Sequence, residues 1–134
     1  FKKFNSLRNK NFYLHFNFFN KLNKYFIVPK IQRNVKTNFL AYPLILKNNK
    51  KLSRKKMQIF LEKNNIQTRP IFSGNVLRHP AFSNLVNNRN KINSFKNADY
   101  IMKNGLLIGC HQGLKQKDIA FIHKKISQFL KKVL

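Results

Sequence analysis

From residue 117 to Leu134, Ile119, Ile122, Ile126, Phe129, Leu130 and Val133 recur at helical spacing, while Lys117, Lys124, Lys125, Lys131 and Lys132 fall opposite. A helix with one apolar stripe must cover something, so this segment demands a partner layer. Three short apolar runs without helical period supply it, at residues 38–46, 66–72 and 106–110. Helical patterns stand between them. The order helix, strand, helix, strand, helices, strand, helix predicts an α/β (α+β) small domain, a small three-stranded sheet covered by helices.

The boundaries follow from local chemistry. Over residues 4–25, Phe4, Leu7, Leu14, Phe18, Leu22 and Tyr25 recur at helical spacing and Phe12, Phe16 and Phe19 widen the face, predicting a long helix buried on more than one side and stopped by Pro29. Residues 30–36 are polar and irregular. Pro43 demotes the first strand to an edge or a bulged one. Ser53 is placed as an N-cap, with Leu52 and Met57 as a hydrophobic staple, for a helix over 54–63 that ends at Asn64 and Asn65. Ser73-Gly74-Asn75 breaks the second strand, and a short irregular helix over 76–86 is interrupted at Pro80. Residues 87–96 read as a polar, mobile loop. Asn97 or Asp99 can cap a helix through Lys103, which Asn104-Gly105 ends with glycine free to turn left-handed.

Charge is the next constraint. Twenty-eight Lys and Arg against three acids, Glu62, Asp99 and Asp118, give a net charge of +25, which attracts any polyanion. The same chain is rich in Asn, Phe and Ile, which share A- and T-rich codons with Lys, so an AT-biased genome raises them together without selecting a ligand. A single cysteine, Cys110, cannot form an internal disulfide, which points to a reducing, cytoplasmic setting. No apolar run approaches the ~20 residues needed to span a bilayer, and Asn11, His15, Asn17 and Asn20 interrupt the basic N-terminus, so neither membrane span nor leader is expected.

Polar chemistry concentrates in two stretches. Thr68-Arg69-Pro70-Ile71-Phe72-Ser73-Gly74-Asn75-Val76-Leu77-Arg78-His79-Pro80 places an arginine at a strand end before a glycine turn, which suits an anion or a sugar and equally suits a strand-to-helix turn capped by Asn75. Ile108-Gly109-Cys110-His111-Gln112-Gly113-Leu114 holds a histidine for acid–base work or for a plain turn. His15 and His123 lie on helical segments among Lys and Asn and read as surface residues. Paired carboxylates, a Gly-rich phosphate loop, metal-spaced Cys and His, and nucleic-acid motifs are missing from the sequence, so no catalytic or metal site is expected within it.

Three stretches occur in a recognisable order: Phe39-Leu40-Ala41-Tyr42-Pro43-Leu44, then residues 66–80 with Arg-Pro-x-Phe-x-Gly-Asn followed by Arg-x-Pro, then Asn97-Ala98-Asp99-Tyr100-Ile101-Met102 with 105–114. This order resembles the C-terminal domain of the DegT/StrS family of pyridoxal-phosphate-dependent sugar aminotransferases and dehydratases, over the whole chain. The Arg-Pro-x-Phe-x-Gly-Asn pattern is most similar to the branch of 4-keto-6-deoxy-sugar-nucleotide 3-dehydratases. Lys115 or Gln116 replaces the usual Ser or Thr cap, and His79 precedes the proline where glutamine is common.

The resemblance implies a type I aminotransferase fold in which residues 1–134 form the small domain and a large cofactor-binding domain lies outside them. It implies pyridoxal or pyridoxamine 5′-phosphate held mainly by that large domain, a sugar-nucleotide substrate, a homodimer, and a place in deoxysugar or lipopolysaccharide O-antigen biosynthesis. Arg69 would bind sugar or phosphate oxygens, Gly74 would let its loop close on the site, and Asn75 and His79 would contact the sugar nucleotide. Cys110 alone does not match an iron–sulfur ligand set. Two alternatives stay open: a sugar-nucleotide aminotransferase of the same family, and a stand-alone basic module that binds RNA or another polyanion.

Overall fold

A computed structural model describes residues 2–47, 50–85 and 93–134. Along the chain run α1 (Lys2–Asn20), β1 (Phe26–Ile27), β2 (Tyr42–Leu46), α2 (Arg54–Glu62), β3 (Thr68–Pro70), two turns of 3-10 helix (Val76–Arg78 and Pro80–Leu85), α3 (Lys96–Asn104), β4 (Gly105–Ile108) and α4 (Gln116–Val133). Most of the mobile loop expected over 87–96 lies outside the described residues.

The strands form one antiparallel sheet in the order β1-β2-β4-β3, with Tyr42 opposite Ile108 and Ile108 opposite Thr68. The sheet thus has four strands rather than the expected three. Strand β1 is two residues long, too short to leave a periodic signal. Pro43 sits in a strand with neighbours on both sides rather than at an edge, which is possible because β1 stops at Ile27 opposite Ile45 and leaves β2 open on that side beyond it.

Burial alternates along β2, with Tyr42, Leu44 and Leu46 inside, as a half-covered sheet requires. They meet Leu106 and Ile108 of β4, Met57 and Leu61 of α2, Phe12 and Phe19 of α1, and Ile122, Ile126, Phe129 and Leu130 of α4. Helix α4 packs against α1 and α2, and its apolar stripe is the buried one that the spacing predicts. Ser53 caps α2 through Lys56 N–H (3.4 Å), with Leu52 and Met57 in the core behind it.

Helix α1 differs from expectation. It ends at Asn20, because Leu22 and Tyr25 turn the chain by hydrogen bonds to Phe19 and Leu22, before Pro29 is reached. Its innermost positions are Asn11, Phe12, His15 and Phe19, while Phe4 is exposed. Asn11 earns its place by donating to the His111 and Leu114 carbonyls (2.9 and 3.1 Å), and His15 by two ring hydrogen bonds.

Two caps also differ. Phe95 stands at the N-cap of α3, with Asp99 inside its first turn, so neither Asn97 nor Asp99 caps it. Gly105 is extended (φ −94°) and opens β4 instead of turning left-handed. Glycine is needed there for space: an added Cβ would stand 2.7 Å from the Ile101 carbonyl oxygen and 2.7 Å from Ile71 Cδ1.

Candidate functional site

Arg69 is the middle residue of edge strand β3, opposite Leu107, and its side chain is exposed. It makes no hydrogen bond or ion pair among the described residues; Glu62 is near enough only for a Coulomb effect. Glu62 is itself held below the usual carboxylate range by hydrogen bonds from Thr68 (2.7 Å) and Gln58 (3.2 Å). Arg69 lines a cavity of about 540 Å³ together with Gln67, His111, Asp118, Leu40 and Phe121. A guanidinium without a partner beside an open cavity is placed to bind an oxyanion.

Beyond β3 the chain makes a turn that expends conformational strain. Phe72 (φ +42°) and Gly74 (φ +61°) are both left-handed. At Gly74 a Cβ would lie 2.4 Å from Met102 Cβ, so only glycine lets the turn lie against α3. Asn75, 3% exposed, caps the following 3-10 turn by accepting from Leu77 N–H (3.2 Å) and donates to Asp99 (2.8 Å). Arg78 grips both oxygens of Asp99 (2.5 and 2.6 Å). The Arg78 bonds, then the Asn75 bond, hold the Asp99 carboxyl down to about 2 and keep it ionised. His79 Nε2 donates to the Ser73 carbonyl (2.9 Å), closing the loop on itself.

Arg69, Gly74, Asn75 and His79 stand within one short stretch of sequence. The structure puts Arg69 on the cavity wall and the other three in the loop that follows β3, where Gly74 and Asn75 lie against α3 and His79 closes onto Ser73. It adds to Arg69's cavity its near neighbour Gln67 and, from far along the chain, His111, which sequence separation hid. His111 Nδ1 accepts from Gly113 N–H (3.2 Å) in a turn.

His15 and His123, expected at the surface, form a pair inside the fold. His15 is 0% exposed, with Nδ1 3.0 Å from His123 Nε2 and Nε2 3.0 Å from the Gly109 carbonyl. A carbonyl only accepts, so His15 carries its proton on Nε2 and His123 donates to it. Burial lowers both to about 4, and the two rings are neutral. The pair joins α1 to α4, with Phe18 stacked on His123 (4.0 Å).

Pyridoxal phosphate requires a carboxylate at its pyridine nitrogen, and the three acids here are engaged otherwise: Glu62 with Gln58 and Thr68, Asp99 with Arg78 and Asn75, Asp118 with the Lys115 amide (2.8 Å). The donor set of this chain does not fit the cofactor by itself. Burial raises Cys110 to about 11, leaving a protonated thiol. Among the described residues no three His, Cys, Asp or Glu side chains gather around one point, and no helix is long and apolar enough to cross a membrane.

The model of the DegT/DnrJ/EryC1/StrS aminotransferase family matches residues 1–127. Lipopolysaccharide biosynthesis protein RfbH of Salmonella typhimurium is 26% identical over 102 residues, 76% of this chain and 23% of the relative. The dTDP-4-dehydro-2,6-dideoxy-D-glucose 3-dehydratase of Saccharopolyspora spinosa is 34% identical over 74 residues, 54% of this chain and 15% of the relative. The structure of E. coli GDP-4-keto-6-deoxy-D-mannose-3-dehydratase with bound hydrated PLP superposes with a TM-score of 0.74 at 27% identity, over 92% of this chain and 31% of that one. An aminotransferase from Psychrobacter cryohalolentis shares the fold, with a TM-score of 0.79 at 15% identity over 97% of this chain and 35% of that one. The chain therefore spans less than a quarter of the length of the curated relatives it matches. With a match over nearly its whole length, it belongs to the DegT/DnrJ/EryC1/StrS aminotransferase family.

Proposed function

We propose that these residues are the C-terminal small domain of a pyridoxal-phosphate-dependent sugar-nucleotide enzyme that removes the 3-hydroxyl of a 4-keto-6-deoxy sugar. The cofactor would supply the electronic chemistry from another part of the enzyme. This chain's share is to bind and orient the substrate. The observation that carries the reading is Arg69, exposed on a cavity wall with no hydrogen-bond partner among the described residues, followed in the chain by a loop whose shape Gly74 fixes against Met102 and Asn75 fixes by its bond to Asp99 of α3. Relatives whose names specify 3-dehydration favour the dehydratase branch over the aminotransferases.

In this reading Arg69 holds diphosphate or sugar oxygens, and His79, half-buried at the loop's end, faces the sugar nucleotide with its second ring nitrogen. Asn75 serves through the loop, which its two hydrogen bonds keep in place.

The test is calorimetric titration of the chain with CDP-glucose, GDP-mannose and inorganic pyrophosphate at low and high salt. The expected result is preference for one nucleotide, weakened by Arg69→Ala about tenfold or more, the loss of a hydrogen bond between charged groups. Equal binding of every anion, falling steeply with salt and indifferent to Arg69→Ala, would contradict it and favour the polyanion-binding module that a charge of +25 suggests.

A further inference from the structure

Phe72 is 78% exposed, the highest value among the large apolar side chains in the described residues. Strand alternation alone would send it to the face of Thr68, which is buried. Its left-handed φ of +42° turns the ring out of that register instead. A bulky side chain in this region is strained, and strain persists where the surroundings enforce it. Here they do: Gly74 lies against Met102, Asn75 and Arg78 both hold Asp99, and His79 closes onto Ser73. The loop keeps an aromatic ring in water at a fixed place, three residues from Arg69 and so within about 10 Å of chain.

We propose that Phe72 is the stacking platform for the nucleobase of the substrate, with Arg69 taking the diphosphate. The inference rests on the sugar-nucleotide reading and deepens it by naming the group that holds the base. The surroundings favour a small ligand that joins a flat ring to an anionic group over a protein partner. Arg69, Pro70 and Ser73, its neighbours in the chain, are exposed, and Arg69 is a cation with no ion pair among the described residues, whereas the centre of a protein interface is depleted of charge. A phenyl face accepts any base by stacking, so the platform sets affinity, and base identity is read elsewhere.

Saturation-transfer NMR on the full chain tests this, with CDP and GDP as probes and ribose 5-phosphate as a base-free control. The expected result is saturation of the base protons, affinity lowered on the order of tenfold in Phe72→Ala, near-native binding in Phe72→Tyr, and no change for ribose 5-phosphate. Base signals that persist in Phe72→Ala would overturn the platform and leave the sugar-nucleotide reading standing. If Phe72→Ala instead altered only self-association in sedimentation, the ring would be an interface anchor and the inference would be wrong. Absence of any nucleotide signal with the unaltered chain would overturn both.

Discussion

Acidification should destabilise this protein through its buried histidines. His15 titrates at about 4 in the fold, against 6.5 for an exposed ring, because burial disfavours the imidazolium. Protonation would also place an Nδ1–H against the donor of His123, 3.0 Å away. The unfolded chain therefore takes up the proton first. The stabilisation is complete above the unfolded value, declines as pH falls, and is exhausted once pH passes the folded value. At 1.36 kcal/mol per pH unit, His15 alone withdraws about 2 kcal/mol by about pH 5 and about 3 kcal/mol by about pH 4. His123 acts in the same direction but is nearer solvent, so screening reduces its share. The Asp99 carboxyl, held at about 2, titrates below this window. Urea unfolding followed by circular dichroism between about pH 7 and pH 5 measures the effect, with His15→Gln as the comparison. Glutamine keeps a donor for the Gly109 carbonyl and cannot titrate. The variant should be less stable at neutral pH by about 1–2 kcal/mol for the lost His123 hydrogen bond, and its stability should fall less with acid. Equal acid sensitivity in both proteins would refute the reasoning.

Gly74→Ala should destabilise the fold by more than the about 1–2 kcal/mol of a left-handed alanine, since its Cβ would also meet Met102 Cβ and Cα at 2.4 and 2.9 Å; a thermal midpoint within error of the native one would contradict this. Tyr42→Phe should raise stability by about 1 kcal/mol, because the Tyr42 hydroxyl is buried with no hydrogen-bond partner among the described residues. A loss on chemical denaturation would mean that the hydroxyl has a partner.

What could be read from the chain tracks how much of each element's signal is local. Helix α4 was legible because its fully buried residues are all apolar, although His123 on the same helix turns inward to His15 and was not. The inward face of α1 was not, since Asn11 and His15 enter the core only with partners a hundred residues away in sequence, at His111, Gly109 and His123. Arg69 and Gly74 stood out as types suited to anions and turns, and the motif order carried the family. The left-handed turn at Phe72 left no trace, because phenylalanine rarely adopts it and the clamp on Asp99 and Met102 that imposes it is made across the fold. Asp99 looked like a cap because its tie to Arg78 is invisible until α3 lies beside the loop.

The central claim is that this domain works within a larger sugar-nucleotide enzyme, and its most direct test is the intact mass and visible absorbance of the native product that carries this segment. The account predicts a species several times heavier than 16.0 kDa with a pyridoxal chromophore. A colourless 16.0 kDa species, free of any partner, would contradict it and leave the charge of +25 as the feature to explain.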